Sequence, residues 1–379
     1  MTRLEVARQK ASPFDGGVIR IGFVPLCDCA PIIMAHELGL FAAHGLRVEL
    51  SREVGWATIR DKIVLRELEA AHAPAAMVLA IGLGIGSFKV PCATALVLNL
   101  HGNGVTISRR LWNEGVQTLA ALREFLRSRA GGSALTFGVA FSCSSHNFLL
   151  KKLLRSAGLE PERDVNIAVV PPPQMAANLK AGSLDGYCVG EPWNSLAVLQ
   201  RAGSVLALSP DIAPRHPEKV LLVREEFVES RSDEHERLVA ALLEACEFCQ
   251  LPENRQQVAE ILAGPNYLNI SREAVQSSLC GPFKFHKQRR ETVSDLHLFA
   301  GPDVNEPGLD KAVWAQQTLL ETGLFSMLPP LNRTRLEAMF RSDIFHSAIK
   351  RAARSQKPPP LPSQAVSSQM ERKPRVPAV

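Results

Sequence analysis

Much that would place this 379-residue chain at a glance is missing from it. No apolar run approaches the ~20 residues that a membrane-crossing helix needs. The start, Met1-Thr-Arg-Leu-Glu-Val-Ala-Arg-Gln-Lys10, is charged, and the first strongly apolar stretch, Val18 to Leu26, is short. A secretory signal pairs a basic stretch with a continuous apolar core, and neither that nor a lipidation cysteine behind it is arranged here. The chain as it stands is therefore expected to be cytoplasmic, with no membrane contact. Gly82-Leu-Gly-Ile-Gly86 lacks the Gly-Lys-Ser/Thr ending of a phosphate loop and does not fit G-x-G-x-x-G after a first strand, so it reads as a closely packed or flexible loop. No H-E-x-x-H, no paired Cys/His set and no carboxylate cluster points to a catalytic metal, and no cofactor is expected. There is no tandem repeat. The eight cysteines (27, 29, 92, 143, 188, 246, 249 and 280) are too scattered for a disulfide scaffold. Cys246-Glu-Phe-Cys249 lies in a helical stretch without a second pair to complete a zinc site, and Cys27-Asp-Cys29 reads as a small-residue turn after a strand, with soft-metal coordination as its alternative.

What is present describes a folded α/β protein. A content of 46% apolar and 21% charged residues excludes wholesale disorder, and the length suits two to three folding units. Val18 to Pro25 alternates and is β-branched, Pro31 opens a helix that ends near Gly39 and Gly45, and Leu46 to Leu50 is a second strand. Such β-α-β units build parallel sheets whose ligand sites lie at the carboxyl ends of the strands. The same grammar gives strands at 89–100, 135–141, 166–170, 186–189 and 219–223. Helices are expected at 144–156, 174–180, 232–262 and 310–345. The last thirty residues, Lys350 to Val379, carry several prolines and seven Lys/Arg against one acid. They read as a disordered basic tail. The formal charge of +5 is thus a property of the tail, the body before it is near neutral, and direct nucleic-acid binding is not expected.

Two segments carry candidate chemistry. Ser142-Cys-Ser-Ser-His146 joins a strand to a helix. A thiolate at a helix start is stabilised by the dipole, so a Cys143–His146 nucleophile is one reading. The better fit is an anion seat, since free N–H groups at a helix start, serine hydroxyls and an imidazole are all donors. Val169-Val-Pro-Pro-Pro-Gln-Met175 and Asp185-Gly-Tyr-Cys-Val-Gly-Glu-Pro-Trp-Asn194 bring a rigid connection, a glycine open to close backbone approach (Gly190) and a carboxylate (Glu191) to strand ends.

In order along the chain, Ile19-Arg-Ile-Gly-Phe-Val-Pro25, His44-Gly-Leu-Arg-Val-Glu-Leu50, Gly55-Trp-Ala-Thr-Ile-Arg-Asp61, Leu98-Asn-Leu-His-Gly102, Val169-Val-Pro-Pro-Pro-Gln-Met175, Cys188-Val-Gly-Glu-Pro-Trp-Asn194 and His216-Pro-Glu-Lys219 resemble one family. It is that of the nitrate- and bicarbonate-binding proteins of ABC transport systems, with their cytoplasmic sensor relatives of the NasS type. The resemblance implies a two-lobed, type II periplasmic-binding-protein-like α/β fold, each lobe a mainly parallel sheet flanked by helices, closing over a small oxyanion. It places an N-terminal extension at 1–17, one lobe with the C-terminal helices at 18–112 and 216–349, a second lobe at 113–215, and the tail at 350–379. Carried over residue by residue, it makes Trp56 the aromatic wall of the anion site, Asn103 an amide donor, Ser142 a hydroxyl contact, His146 the histidine donor, Gly190 a backbone contact and Lys219 the cationic ligand. Nitrate is planar and weakly hydrated, and wants in-plane donors, one nearby cation and an aromatic face, because an uncompensated buried anion is costly. The bicarbonate branch is expected to put acidic chemistry near position 219, so Lys219 tilts the reading to nitrate or nitrite. Departures from the family pattern are Cys27-Asp-Cys29, Asn103 in place of a Gln, and 291–307.

With no visible export signal, the expected role is a non-enzymatic cytoplasmic nitrate/nitrite sensor. On the resemblance, such a sensor releases a NasT-like, ANTAR-type RNA-binding antiterminator when the anion binds. The alternatives are the substrate-binding component of a nitrate, nitrite or bicarbonate ABC transporter with its permease, and, last, a small-molecule enzyme using Cys143 and His146.

Overall fold

A computed structural model of the chain describes residues 17–128, 133–324 and 330–352. Two mixed sheets organise it. The first runs β13(297–298)-β4(92–101)-β10(217–224)-β3(70–74)-β1(19–23)-β2(48–52), and the second β7(165–169)-β6(135–139)-β8(186–190)-β5(103–108)-β9(203–208). A hairpin, β11(283–286) and β12(289–291), forms a separate two-stranded sheet whose Phe283 and Phe285 pack with Val205 and Leu208 of β9. The two-lobed α/β class expected from the sequence is the one observed. The sheets are more mixed than expected: β1–β2, β1–β3, β6–β7 and β6–β8 are parallel, whereas β10 and β5 run antiparallel to both neighbours. The reason is that β5 and β10 are the strands reached by crossing between the sheets. They enter from the far side, so they run against the β-α-β units around them.

The first crossing falls at His101-Gly102, upstream of the expected boundary at 112. Both residues have positive φ (63° and 100°), a region that glycine enters without steric cost, and the chain leaves β4 there to begin β5 at Asn103. The return runs through 209–216, where the His216 carbonyl accepts from the His101 N–H at 3.4 Å, so the two crossing strands are tied side by side. The strand expected at 89–100 is β4, and a further buried strand that the sequence does not signal, β5, follows it in the other sheet. The helix Ser342–Ala352 takes in the first residues of the expected tail. The rest of the tail, and residues 1–16 of the expected N-terminal extension, lie outside the described residues.

Helix propensity and punctuation explain the Gly82–Gly86 segment. Helix Ala75–Leu83 ends at Gly84, which adopts φ 77° as its left-handed cap, and Gly82 is pressed against Met339. One hydrophobic cluster fills the first lobe between β1, helix Ala30–Glu37 and the long helix Ser232–Gln250. A second runs from Val24, Leu26 and Trp56 in the first lobe to Met175, Tyr187 and Val189 in the other, and a third fills the second lobe around Phe137 and Phe148. The lobes also touch through Trp193 Nε1 donating to the Pro25 carbonyl (3.0 Å) and Cys27 N–H donating to the Glu191 carbonyl (2.7 Å). Helix Leu309–Glu321 leans on both lobes, with Trp314 edge-on to Phe148 at 5.4 Å. Among the described residues no helix is long and apolar enough to cross a membrane.

Close backbone approach is required at Gly203, where an added Cβ would lie 2.5 Å from the Ile107 carbonyl oxygen and 2.7 Å from Leu179 Cδ2. A Gly203→Ala variant is expected to lose about 1–3 kcal/mol of stability through this overpacking, read as a lower denaturant midpoint at unchanged slope.

Candidate functional site

The ends of β1, β3, β6 and β8 and the starts of β5 and β10 converge where the lobes meet. That is where open α/β sheets place ligands. At the centre is the Lys219 ammonium, fully buried, 2.8 Å from Asp28 Oδ2 and hydrogen-bonded to Glu218 Oε1. Asp28 comes from the short 3-10 turn Cys27–Cys29 that follows β1, and it also accepts from His72 Nε2 on β3 at 2.8 Å. Trp56, the first residue of helix Trp56–Val64, sets its ring 5.4 Å from the Lys219 nitrogen and 5.4 Å from the His72 ring. A desolvated ammonium over an indole face is a favourable cation–π arrangement.

From the second lobe, Asn103 Nδ2 donates to Glu218 Oε2 (2.6 Å) and Asn103 Oδ1 accepts from His146 Nε2 (2.9 Å). Ser145 Oγ donates to Glu218 Oε1 at 2.5 Å. His216, two residues before Glu218 and just ahead of β10, has Nε2 3.1 Å from Glu218 Oε2 and Nδ1 2.8 Å from the Ala213 carbonyl oxygen. A side chain at Gly190 would crowd this network, since a Cβ there lies 3.3 Å from Asn103 Oδ1 and 3.2 Å from Leu26. Trp56 Nε1, His72 Nδ1 and His146 Nδ1 are buried without a hydrogen-bond partner.

Trp56, Asn103, His146, Gly190 and Lys219, five of the six residues expected from the sequence, thus meet in one network. Ser142 does not join it: its carbonyl accepts from Asn147 Nδ2 at 2.8 Å, and the hydroxyl that reaches the network is that of Ser145. The helix begins at Ser145, so Ser145 and His146 occupy its first turn, whereas Ser142 precedes the cap residue Ser144. The sequence reading also missed Asp28, His72, Glu218 and His216. Asp28 had been seen only as part of a small-residue turn, and Glu218 only as a neighbour of Lys219.

The electrostatics differ from a lone buried cation. Burial works against ionising Asp28, but Lys219 and His72 outweigh it and hold the carboxyl down to about 2. Burial likewise opposes the charge on Glu218, and Lys219, His216 and His146 together keep it well below the usual carboxylate range. Burial disfavours the Lys219 ammonium, and the two carboxylates more than restore it. His146 is pushed down to about 4 by burial and by Lys219, so its imidazole is neutral near pH 7. Lys219 is therefore a shared cation between two anions. Breaking such a pair strands the remaining charges: Lys219→Met is expected to destabilise the fold by about 3–5 kcal/mol.

The nucleophile reading finds no support in this geometry. Burial pushes the Cys143 thiol up to about 12, against the thiolate that a nucleophile needs, and His146 Nε2 pairs with Asn103 Oδ1 rather than with a thiol. Glu191, also raised by burial, accepts from Ser278 Oγ (2.6 Å) and the Ser195 N–H (3.2 Å), which is a structural use. Among the described residues no group of three or more His, Cys, Asp or Glu is arranged to hold a metal.

Two hinged α/β lobes with donors from both gathered at the strand ends define the two-lobed binding-protein fold. The NMT1-like family profile matches residues 17–263, and the chain belongs to that family. It is 39% identical over 334 residues to the nitrate import ATP-binding protein NrtC of Synechocystis sp. strain PCC 6803, an alignment covering 87% of this chain and 49% of the relative. To the bicarbonate transport ATP-binding protein CmpC of Synechococcus elongatus strain PCC 7942 it is 37% identical over 339 residues, 88% of this chain and 49% of the relative. The chain thus spans about half the length of these curated relatives. The crystal structure of the periplasmic nitrate-binding protein NrtA from Synechocystis PCC 6803 matches with a TM-score of 0.83 and 25% identity over 92% of both chains.

Histidines buried in neutral form make the fold acid-sensitive. His146 and His101 are lowered to about 4 and His297 to about 3, from an ordinary value of 6.5, with burial as the first cause in each. The unfolded chain therefore binds more protons below pH 6.5, so their contribution is complete above that value and is lost as pH falls toward 4. The thermal midpoint is expected to drop progressively across this window, and a His101→Phe variant, with one such proton site fewer, to show a shallower drop.

Proposed function

We propose that this chain captures a small planar monovalent oxyanion of the nitrate, nitrite or bicarbonate type between its lobes, as the anion-binding part of an ABC import system. The observation that carries this is the buried set of Lys219, Asn103, His146 and Trp56, drawn from both lobes, in a chain whose relatives are named for nitrate and bicarbonate import. The chemistry agrees. An ammonium, an amide, an imidazole and an aromatic face are what a weakly hydrated planar anion needs to leave water. The Trp56 indole N–H, buried without a partner, is a further donor available to it.

A second reading keeps the chain inside the cell, as a nitrate or nitrite sensor that lets go of a NasT-like antiterminator when filled. It rests on the likeness of the sequence motifs to NasS-type sensors, while the relatives named for nitrate and bicarbonate import favour the first reading. Lobe closure is a hinge motion able to remake a partner surface in either setting.

Titrating the purified chain with nitrate, nitrite and bicarbonate by calorimetry and Trp fluorescence tests the shared claim. Saturable binding by at least one is expected, with a fluorescence change through Trp56 and its loss in Lys219→Ala; silence with all three removes the reading. Neighbouring permease and ATPase genes would favour the import role, a neighbouring antiterminator gene the sensor.

A further inference from the structure

Glu218 occupies the network in an unusual way for a residue that a binding site would merely tolerate. Its carboxylate is itself a planar oxyanion, and each of its oxygens lies within 3.1 Å of two polar side-chain atoms. Oε2 takes the Asn103 amide (2.6 Å) and faces His216 (3.1 Å). Oε1 takes the Ser145 hydroxyl (2.5 Å) and the Lys219 ammonium, with His146 Nε2 at 3.8 Å. The donors come from the start of β5, from the first turn of helix Ser145–Ser156 and from β10, so this one first-lobe carboxylate bridges the two lobes. Two of these donors, Lys219 and Asn103, with the His146 imidazole beside them, are groups an incoming oxyanion would have to engage. An anion brought to them while Glu218 stays would face two carboxylates around one ammonium, and like charges at such distances in a buried site repel strongly.

We propose that the Glu218 carboxylate is a built-in occupant of the oxyanion seat, a competitor that an incoming anion displaces from Lys219, Asn103 and Ser145 in order to bind. This rests on the oxyanion reading above and adds to it a self-ligand that sets the affinity. Exchange of one planar anion for another leaves the number of charge-assisted hydrogen bonds nearly constant, so the native chain binds only by the difference between ligand and Glu218. Removing the competitor leaves Lys219 paired with Asp28 alone and frees the amide and hydroxyl donors. A charge-assisted hydrogen bond contributes about 1.5–3 kcal/mol, which corresponds to about a 10- to 100-fold change in affinity.

The test is calorimetric titration of the native full-length chain, Glu218→Ala and Glu218→Gln with sodium nitrate, nitrite and bicarbonate, and with formate as a carboxylate probe. Thermal melts establish that each variant is folded, and the near-isosteric Gln variant serves where Ala leaves too large a hole. Both variants are expected to bind the oxyanion about tenfold or more tightly than the native chain, and formate to bind Glu218→Ala and compete there with the oxyanion. A folded variant that binds more weakly than the native chain, or with equal affinity, overturns the proposal and makes Glu218 a support for the seat. Binding by the native chain that depends on an added divalent cation also overturns it, since the carboxylates would then be ligands for that cation. If neither the native chain nor a variant binds any oxyanion, the oxyanion reading itself falls, and the self-ligand with it.

Discussion

The burial of one ammonium between two carboxylates is the constraint on which the rest of this structure depends. Taking an ion out of water costs several kcal/mol even after relaxation, and the cost is recovered only with near-ideal geometry and with further hydrogen bonds to every remaining lone pair and proton. Lys219 meets that condition through two carboxylates. They meet it in turn through His72 on β3, through Asn103 and Ser145 from the second lobe, and through His216 just ahead of β10. Every element that supplies one of these groups is thereby fixed in register. The turn after β1 must end with Asp28 inward, the helix after β6 must start at Ser145 rather than earlier, and β10 must place two adjacent charged residues at its first positions.

That constraint reaches the hinge. The two crossing segments are held together by the His101–His216 backbone hydrogen bond and by ring contact at 5.0 Å. His216 also stacks on Trp314, at 5.3 Å, in the helix that leans on both lobes. The same imidazole therefore touches the Glu218 carboxylate, the hinge and the C-terminal helix. Any rearrangement of Glu218 changes the hydrogen bond at the side chain that links these parts, which gives occupancy of the seat a physical route to the angle between the lobes. Gly102 supports the same crossing: its φ of 100° suits glycine, and a Cβ there would lie 2.8 Å from the His297 ring.

The two-lobed class, and five residues that meet in the candidate network, were legible in the sequence, because strands such as Val18 to Pro25 alternate and because the Pro-Pro-Pro-Gln-Met and Val-Gly-Glu-Pro-Trp-Asn segments are long and distinctive. What stayed hidden has physical reasons. The strand Ala70–Pro74 is Ala-Ala-His-Ala-Pro, without a β-branched residue, and forms because it is buried between β1 and β10 rather than through propensity. With it went His72. Asp28 was masked by its flanking cysteines, which drew attention to thiol chemistry that burial suppresses. Glu218 was overlooked because residues adjacent in a strand usually point to opposite faces. Here β10 shifts register against β4 around Lys219, and this irregularity lets neighbours 218 and 219 reach one network.

This last point alters what the positive charge of the site means. A sequence showing Lys219 beside an imidazole and an amide suggests an open cationic seat, and such a seat would hold any anion by attraction alone. The observed arrangement is a compensated cluster, in which attraction to Lys219 is already shared between Asp28 and Glu218. Discrimination then comes from replacing the Glu218 carboxylate, which requires a ligand of similar size, planarity and charge that can bridge the same donors from both lobes. Larger or tetrahedral anions match those donors less well, and chloride cannot bridge them with separate oxygens. Because the exchange is between nearly equivalent groups, it shifts the lobes only as far as the ligand's differential affinity for the two arrangements allows.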